Sequence, residues 1–564
     1  MRGGRLSGRS LLRRAVRGEA RRVGICSVLS AAHQGGEALV PILIGVIIDQ
    51  AVGAGTTVDL IVWIALLGAA FAVLSVSFQI GTRTGEYAVE RAAHTLRLEL
   101  TTRILHPRGS AEGRRLPGAL VTVATGDALR VGMINLALPL ALAAICGVVI
   151  GAVALLRMSV PLGLLVLVGA PVLLLAAHWL GKPLQRRSES EQEHAARAAG
   201  VAADLVSGLR VLKGVGAERS AARRYRRISQ ESLGATQRAA NAKSRHDSTL
   251  LGLTGIFLAA VALLGGRLAA SQQISIGELV AAVGLAQFLL GPLALVAWAN
   301  GEFAQARASA DRIAAVLAAA PRTPGGDQEV ADPVRGQIRL AGVGCDGLRG
   351  LDLTIEPGEF VGVVTADQAA ATTLTELFGR IRDPEAGTVE LDGRPLHTLD
   401  PVAVRTAVLV AEHDADLFEG TLLDNVALGR APADAVKAAL VASTVDEVAR
   451  TLPDDVDGPI AERGRSLSGG QRQRVALARS LAADPPVLVL HDPTTAVDAV
   501  TEQRIVAGMR ELRRGRTTVL VSTSPSLLAA ADRVVFLSDG AVRAIGTHAD
   551  LIRDDDRYRS VVLA

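Results

Sequence analysis

Residues 467–481 read LSGGQRQRVALARSL. A serine and two glycines stand at the head of a helix-forming segment. The first backbone N–H groups of a helix have no intrahelical partner. Glycine carries no side chain to hold a ligand away from them, so such a start favours an approaching anion. Further on, residues 487–498, VLVLHDPTTAVD, open as a short apolar run of strand length. Upstream, residues 348–364, LRGLDLTIEPGEFVGVV, read as two short strands separated by a Pro-Gly turn. Strands alternating with helical segments predict an α/β domain over 335–564.

The chain is 564 residues long, too long for one core. With 49% hydrophobic and 21% charged residues and a mean hydropathy of +0.33, it is too apolar for an ordinary soluble enzyme. The excess lies before residue 302 and resolves into six stretches. They run from Val23 to Asp49 and over 60–81, 132–156, 159–181, 248–266 and 279–301. Each approaches the roughly 20 residues of a spanning helix. Residues 1–22 form a basic segment carrying Arg2, Arg5, Arg9, Arg13, Arg14, Arg17, Arg21 and Arg22. The apolar stretch that follows is too long for a signal peptide and lacks a small-residue cleavage site, so it is read as a retained span. The connections 83–131 and 182–247 are long, helix-forming and rich in Arg and Lys. The positive-inside rule puts them, the N-terminal segment and everything after residue 302 in the cytoplasm.

The net charge of +4 and pI near 9.2 reflect arginine beside these apolar segments, which points to a membrane surface and away from nucleic acid. Cys26, Cys146 and Cys345 have no ligand spacing, so neither a disulfide framework nor a metal site is expected. In the first span His33 and Glu37 are four apart and share a helical face, with Gln34 beside them. Ionisable groups at membrane depth mark substrate candidates. Asn135, Gln287 and Asn300 are further polar candidates for a mostly apolar cavity.

With LSGGQ, its continuation RQRVALARSL and the strand before Asp498, the second half resembles the nucleotide-binding domain of ATP-binding cassette (ABC) transporters. Together with six preceding spans, the chain resembles the fused half-transporters of the exporter type. The implied fold is an all-α six-helix transmembrane domain over 23–319, a linker over 320–334 and an α/β P-loop-type ABC nucleotide-binding domain over 335–564. PGALVTVATGDALRV and SGLRVLKGVGAERSAARR are similar to that family's two intracellular loops, which dock on the nucleotide-binding domains. In the family the signature contacts the γ-phosphate of ATP held by the opposite subunit. The resemblance gives this role to Ser468, Gly469, Gly470 and Gln471, with Asp498 in the adjoining loop.

The elements for the chain's own ATP depart from the family pattern. In VGVVTADQAAATTL (361–374), Thr365, Gln368 and Ala370 stand at the phosphate-loop glycines and Ala371 at its lysine. Thr372 and Thr373 keep the hydroxyls, Asp367 adds a negative charge, and no lysine occurs between Lys243 and Lys437. Cys345 or Gly347 replaces the aromatic residue that would stack on adenine. Glu412 is read at the glutamine of the subdomain-linking loop, His491 at the magnesium-organising aspartate, Asp492 at the catalytic glutamate and Thr523 at the switch histidine. Each change removes charge placement that phosphoryl transfer depends on.

The kept elements face a partner's nucleotide and the lost ones hold the chain's own. The expectation is therefore a heterodimer whose second half-transporter supplies an intact phosphate loop and catalytic glutamate, with ATP and Mg mainly at the shared site. A lipophilic or amphipathic small molecule, peptide or lipid is the expected cargo and export the expected direction. The strong preference for Arg over Lys points to a bacterial plasma membrane. Two other readings stand beside this one: a membrane regulatory or scaffolding subunit without transport, and a homodimer using unusual chemistry through His491 or Glu412.

Overall fold

The computed structural model describes residues 7–52, 56–109, 117–413, 416–429 and 431–563. Arg2 and Arg5 of the basic segment, and Asp414 and Ala415 of the linking loop, lie outside them. The chain divides into two compact units, Met1–Thr101 with Leu116–Ala318, and Thr102–Arg115 with Ala319–Ala564.

The first unit is helical. After α1 (Gly8–Gly18) come α2 (Ala20–Val46), α3 (Thr57–Ile104), α4 (Ile134–Met158), α5 (Val160–Ser207), α6 (Glu218–Ala270) and α7 (Ile276–Ala318). Among the described residues six helices are long and apolar enough to cross a membrane, as the six apolar stretches predict. With 48 residues, α3 and α5 are each about 72 Å long at 1.5 Å per residue. That is more than twice the roughly 30 Å of a hydrocarbon core. Apolar side chains such as Ile61, Val62, Val73 and Leu164 are exposed on these helices, as lipid-facing residues are. Leu162, Val166, Val261, Leu285 and Leu289 form the buried seam between α5, α6 and α7.

Small residues set the approach of α2 to α7. A Cβ on Gly45 would come within 2.5 Å of the Gly277 carbonyl oxygen, and one on Gly284 within 2.7 Å of Pro41 Cβ. Asp49 caps the start of α7, accepting the Gly277 N–H at 2.9 Å and the Ser275 hydroxyl. At the other end of α7, Arg312 and Ser309 hydrogen-bond the buried Asp127 carboxylate, pinning the 117–132 segment to that helix.

The second unit is α/β. Its strands are β1 (Ile338–Cys345), β2 (Leu348–Ile355), β3 (Phe360–Thr365), β4 (Ala386–Leu391), β5 (Arg394–Pro395), β6 (Val408–Ala411), β7 (Gly420–Thr421), β8 (Pro459–Ile460), β9 (Val487–His491), β10 (Thr517–Val521), β11 (Arg533–Ser538) and β12 (Ala541–Gly546). The central sheet has the order β12-β11-β3-β10-β9-β6, parallel except for β12 at its edge. Alternate residues of these strands enter two cores. Val361, Val363, Val487, Val489, Val519 and Val521 face one, and Phe360, Leu488, Leu490 and Leu520 the other. Burial on both faces explains why the strands read as continuous apolar runs. The two strands flanking the Pro-Gly turn do not pair with each other: β2 joins the antiparallel sheet β2-β1-β4-β5, and β3 lies inside the parallel one. Within 320–334, Pro324 and Gly325 offer their carbonyls to the fully buried Arg380, which fastens this stretch to the second unit.

Candidate functional site

In open parallel sheets, ligands bind outside the carboxyl ends of the strands. Here β3, β9 and β10 end in the segments carrying Gln368, Asp492 and Thr523. Thr365, Ala366, Gln368, Ala371, His491, Asp492, Ser522 and Thr523 line one cavity of about 400 Å³. Ser560 and Val561 of α8 (Asp556–Val562), far away in sequence, complete its wall.

The phosphate-loop segment is short and self-satisfied. β3 ends at Thr365 and the next helix, Gln368–Phe378, begins three residues later. Its N-cap is Asp367, whose carboxylate accepts the Ala369 N–H at 2.9 Å. The positive end of the helix therefore already holds an anion. Ala370, Ala371 and Thr373 are buried against the core, and Thr372 returns its hydroxyl to the Gln368 carbonyl at 2.9 Å.

The Gln368 amide N–H donates to His491 Nε2 at 3.3 Å, which requires a neutral imidazole. Burial pushes His491 below the ordinary histidine range. The Asp492 carboxylate opposes this, His413 reinforces it and Glu412 opposes it. A histidine held neutral in the fold contributes stability that is fully present above the ordinary pKa of about 6.5 and is lost as pH falls through the depressed folded value. Chemical denaturation of the full chain in detergent should therefore show the midpoint falling on acidification below that range. His491→Gln should flatten the dependence, and identical pH profiles would contradict the assignment.

Asp492 sits in the left-handed region at φ 45° and donates its N–H to Val521 O at 3.0 Å. Its side chain is directed to the cavity beside His491. Thr523 is exposed at the cavity edge. Glu412 lines a different cavity, with Phe418 and Arg479. The neighbouring His413 is the linking-loop residue that faces His491, with ring centroids 6.2 Å apart. Its Nδ1 is buried and has no hydrogen-bond partner among the described residues. Cys345 is buried in the sheet core and Gly347 packs on Ala370, so neither offers a surface for stacking a base.

The signature is presented differently. Ser468 is the N-cap of α9 (Gly469–Ala482): Gln471 N–H donates to its hydroxyl at 3.3 Å and Ser468 N–H to Gln471 Oε1 at 2.8 Å. Ser468 and Gly469 remain exposed. Gly470 is needed for a close approach, because a Cβ there would lie 2.5 Å from the Ala496 carbonyl oxygen. Gln473 reaches back from α9, accepting the Ala496 N–H at 2.8 Å and donating to Thr495 at 2.7 Å. The loop that ends at Asp498 is thus clamped to the signature. Asp498 caps the helix Ala499–Leu512 through the Thr501 N–H at 2.9 Å, and backbone and side-chain hydrogen bonds from Thr501 hold its carboxylate below the usual range.

The substrate candidates lie together on α2. His33 Nδ1 donates to the Leu74 carbonyl at 3.0 Å, and Glu37 stands 3.9 Å from His33 Nε2. Gln34 Oε1 is buried beside Gly147 and Phe288. Asn135 is fully buried and bonded to Gly132, whereas Gln287 and Asn300 are exposed.

A family model described as the ABC transporter transmembrane region matches residues 23–293, and one described as ABC transporter matches 348–495. The lipid A-core flippase of Thiobacillus denitrificans is 30% identical over 407 residues, 70% of either chain. A multidrug efflux ATP-binding/permease protein of Mycobacterium tuberculosis is 31% identical over 93% of this chain, which spans only 44% of that relative's length. Among solved structures, a bacterial Atm1-family ABC exporter with ATP bound superposes with a TM-score of 0.73 over 98% of both chains at 23% identity. The chain belongs to the ABC transporter family, with a transmembrane region fused to a nucleotide-binding domain. It is a multi-pass membrane protein.

The family implies ATP, commonly with Mg. The residues at this chain's own loop do not fit it: a carboxylate caps the helix, the lysine position is a buried alanine, and Gln368 and His491 bond to each other. The exposed start of α9 does fit a phosphate group.

Proposed function

We propose that this chain is one half of a heterodimeric ATP-driven exporter whose signature completes the partner's ATP site while its own site is catalytically silent. The observation that carries the reading is the asymmetry between its two nucleotide-facing surfaces. Ser468 and Gly469 stand exposed at a capped helix start, which Gln473 braces against the neighbouring loop. The Thr365–Thr373 loop is closed on itself. In such a complex Ser468 and the free N–H groups behind it would hold a phosphate of the nucleotide bound to the partner. Bound ATP and Mg supply the transferable phosphoryl group and its charge neutralisation. Gln473 keeps the two loops in fixed register, and Asp498 caps the helix that follows.

The bacterial relatives support export of a lipophilic or amphipathic cargo, drug, peptide or lipid, across a plasma membrane. The arginine-rich connections support a cytoplasmic N-terminal segment and nucleotide-binding domain. Purification of the chain from its native membrane tests the reading. A second half-transporter with an intact phosphate loop and catalytic glutamate should accompany it in equal amount. Recovery of the chain alone, or as a homodimer hydrolysing ATP, would refute it.

A further inference from the structure

Across the six stretches 23–49, 60–81, 132–156, 159–181, 248–266 and 279–301 there is no Lys or Arg, and the carboxylates are Glu37 and, at a stretch end, Asp49. Asp49 is used as a helix cap. Glu37 lies fourteen residues after Val23 and twelve before Asp49, so about 20 Å of helix extends on either side of it. Its side chain is 46% exposed at this mid-membrane depth.

Among the described residues the group nearest to neutralising it is His33. His33 Nδ1 donates to the Leu74 carbonyl, and its Nε2 stands 3.9 Å from the carboxylate, beyond hydrogen-bond reach. On the same stretch of helix, Gln34 Oε1 is a second acceptor without a donor. Among the described residues no donor reaches the Glu37 carboxylate, and a carboxylate left unpaired at membrane depth suits a cation.

The surroundings of Glu37 suit an organic one. The His33 ring lies against Phe78, centroids 5.1 Å apart, and Phe78 is 54% exposed. Phe71, seven residues earlier on the same face of α3, is also exposed. Aromatic faces beside a carboxylate attract a delocalised or quaternary cation by charge and by cation–π contact, both stronger where water is scarce. An inorganic cation would find one carboxylate and, among the described residues, Gln34 Oε1 as the other unpaired oxygen, too few oxygen ligands to replace its hydration. Resting on the transporter reading for its physiological meaning, we infer that Glu37, with His33 and Phe78, forms a binding site for a lipophilic organic cation, which places the cargo in that class.

Equilibrium binding to the full chain, purified in detergent with any co-isolated partner, tests this with tetraphenylphosphonium and the anion of the same shape, tetraphenylborate. The phosphonium should bind at least tenfold more tightly than the borate. Glu37→Gln should lose at least tenfold of that affinity and Glu37→Asp should keep part of it. Phe78→Leu should weaken binding severalfold, and it reads the site independently should Glu37→Gln fail to fold. Equal phosphonium affinity in wild type and Glu37→Gln, or borate binding as tight as phosphonium, overturns the inference. ATP-driven transport of an uncharged cargo indifferent to Glu37 would remove the cation site and leave the transporter reading standing. Glu37-dependent phosphonium binding by a chain that transports nothing would do the reverse.

Discussion

Replacing Ser468 with arginine is expected to reduce ATP hydrolysis by the complex by about 100-fold or more, the scale seen when an oriented donor to a reacting group is lost. Loss of the cap is too small to explain such a fall, since an N-cap serine contributes about 1 kcal/mol of stability. Ser468→Ala isolates that smaller term and should leave the complex assembled. Ser468 is exposed and its hydroxyl already accepts the Gln471 N–H, so the fold does not require a small side chain there. What arginine would do is fill the space through which an anion reaches the N–H groups behind Ser468. Nucleotide binding to the partner should persist while turnover is lost. Turnover of the Ser468→Arg complex near the wild-type rate would remove the signature from the chemistry.

The six spans and the α/β half were legible in the sequence because their signals are long or local. Twenty apolar residues leave a spanning helix little alternative. LSGGQ places a cap, two glycines and a helix in direct succession. The candidate site was legible only where one residue type decides it, as with the absent lysine. Three features were hidden. Asp367 reads as an added charge, but its use as the N-cap depends on where the helix begins, which residue type alone does not fix. The placement of His413 rather than Glu412 opposite His491 depends on how the chain turns after Ala411. Ser560 and Val561 reach the cavity only because β11, β12 and the following helices bring the end of the chain back beside β3. Asn135 shows the converse: a polar residue in an apolar span suggests a cavity wall, yet its amide donates to the Gly132 carbonyl inside the helix packing.

Substituting alanine for the phosphate-loop lysine of the proposed partner should abolish hydrolysis by the whole complex, whereas Asp492→Ala in this chain should leave the rate within about twofold. Electrostatics carries the expectation that the chain's own site cannot substitute. One unit charge about 4 Å from a phosphate charge is worth about 4 kcal/mol at an effective dielectric of 20. Losing the lysine at Ala371 forfeits one such term, and the Asp367 carboxylate at the helix start adds one of opposite sign. Both changes act against phosphate binding, and the exposed Asp367 adds the smaller share because water screens it. Thr372 offers no compensation, since its hydroxyl is bonded to the Gln368 carbonyl. The Gln368 to His491 hydrogen bond must also break before a metal or phosphate could enter between them. A complex that keeps about half its activity without the partner's lysine would have a working site in this chain, and the asymmetry inferred from Asp367, Gln368 and His491 would be wrong.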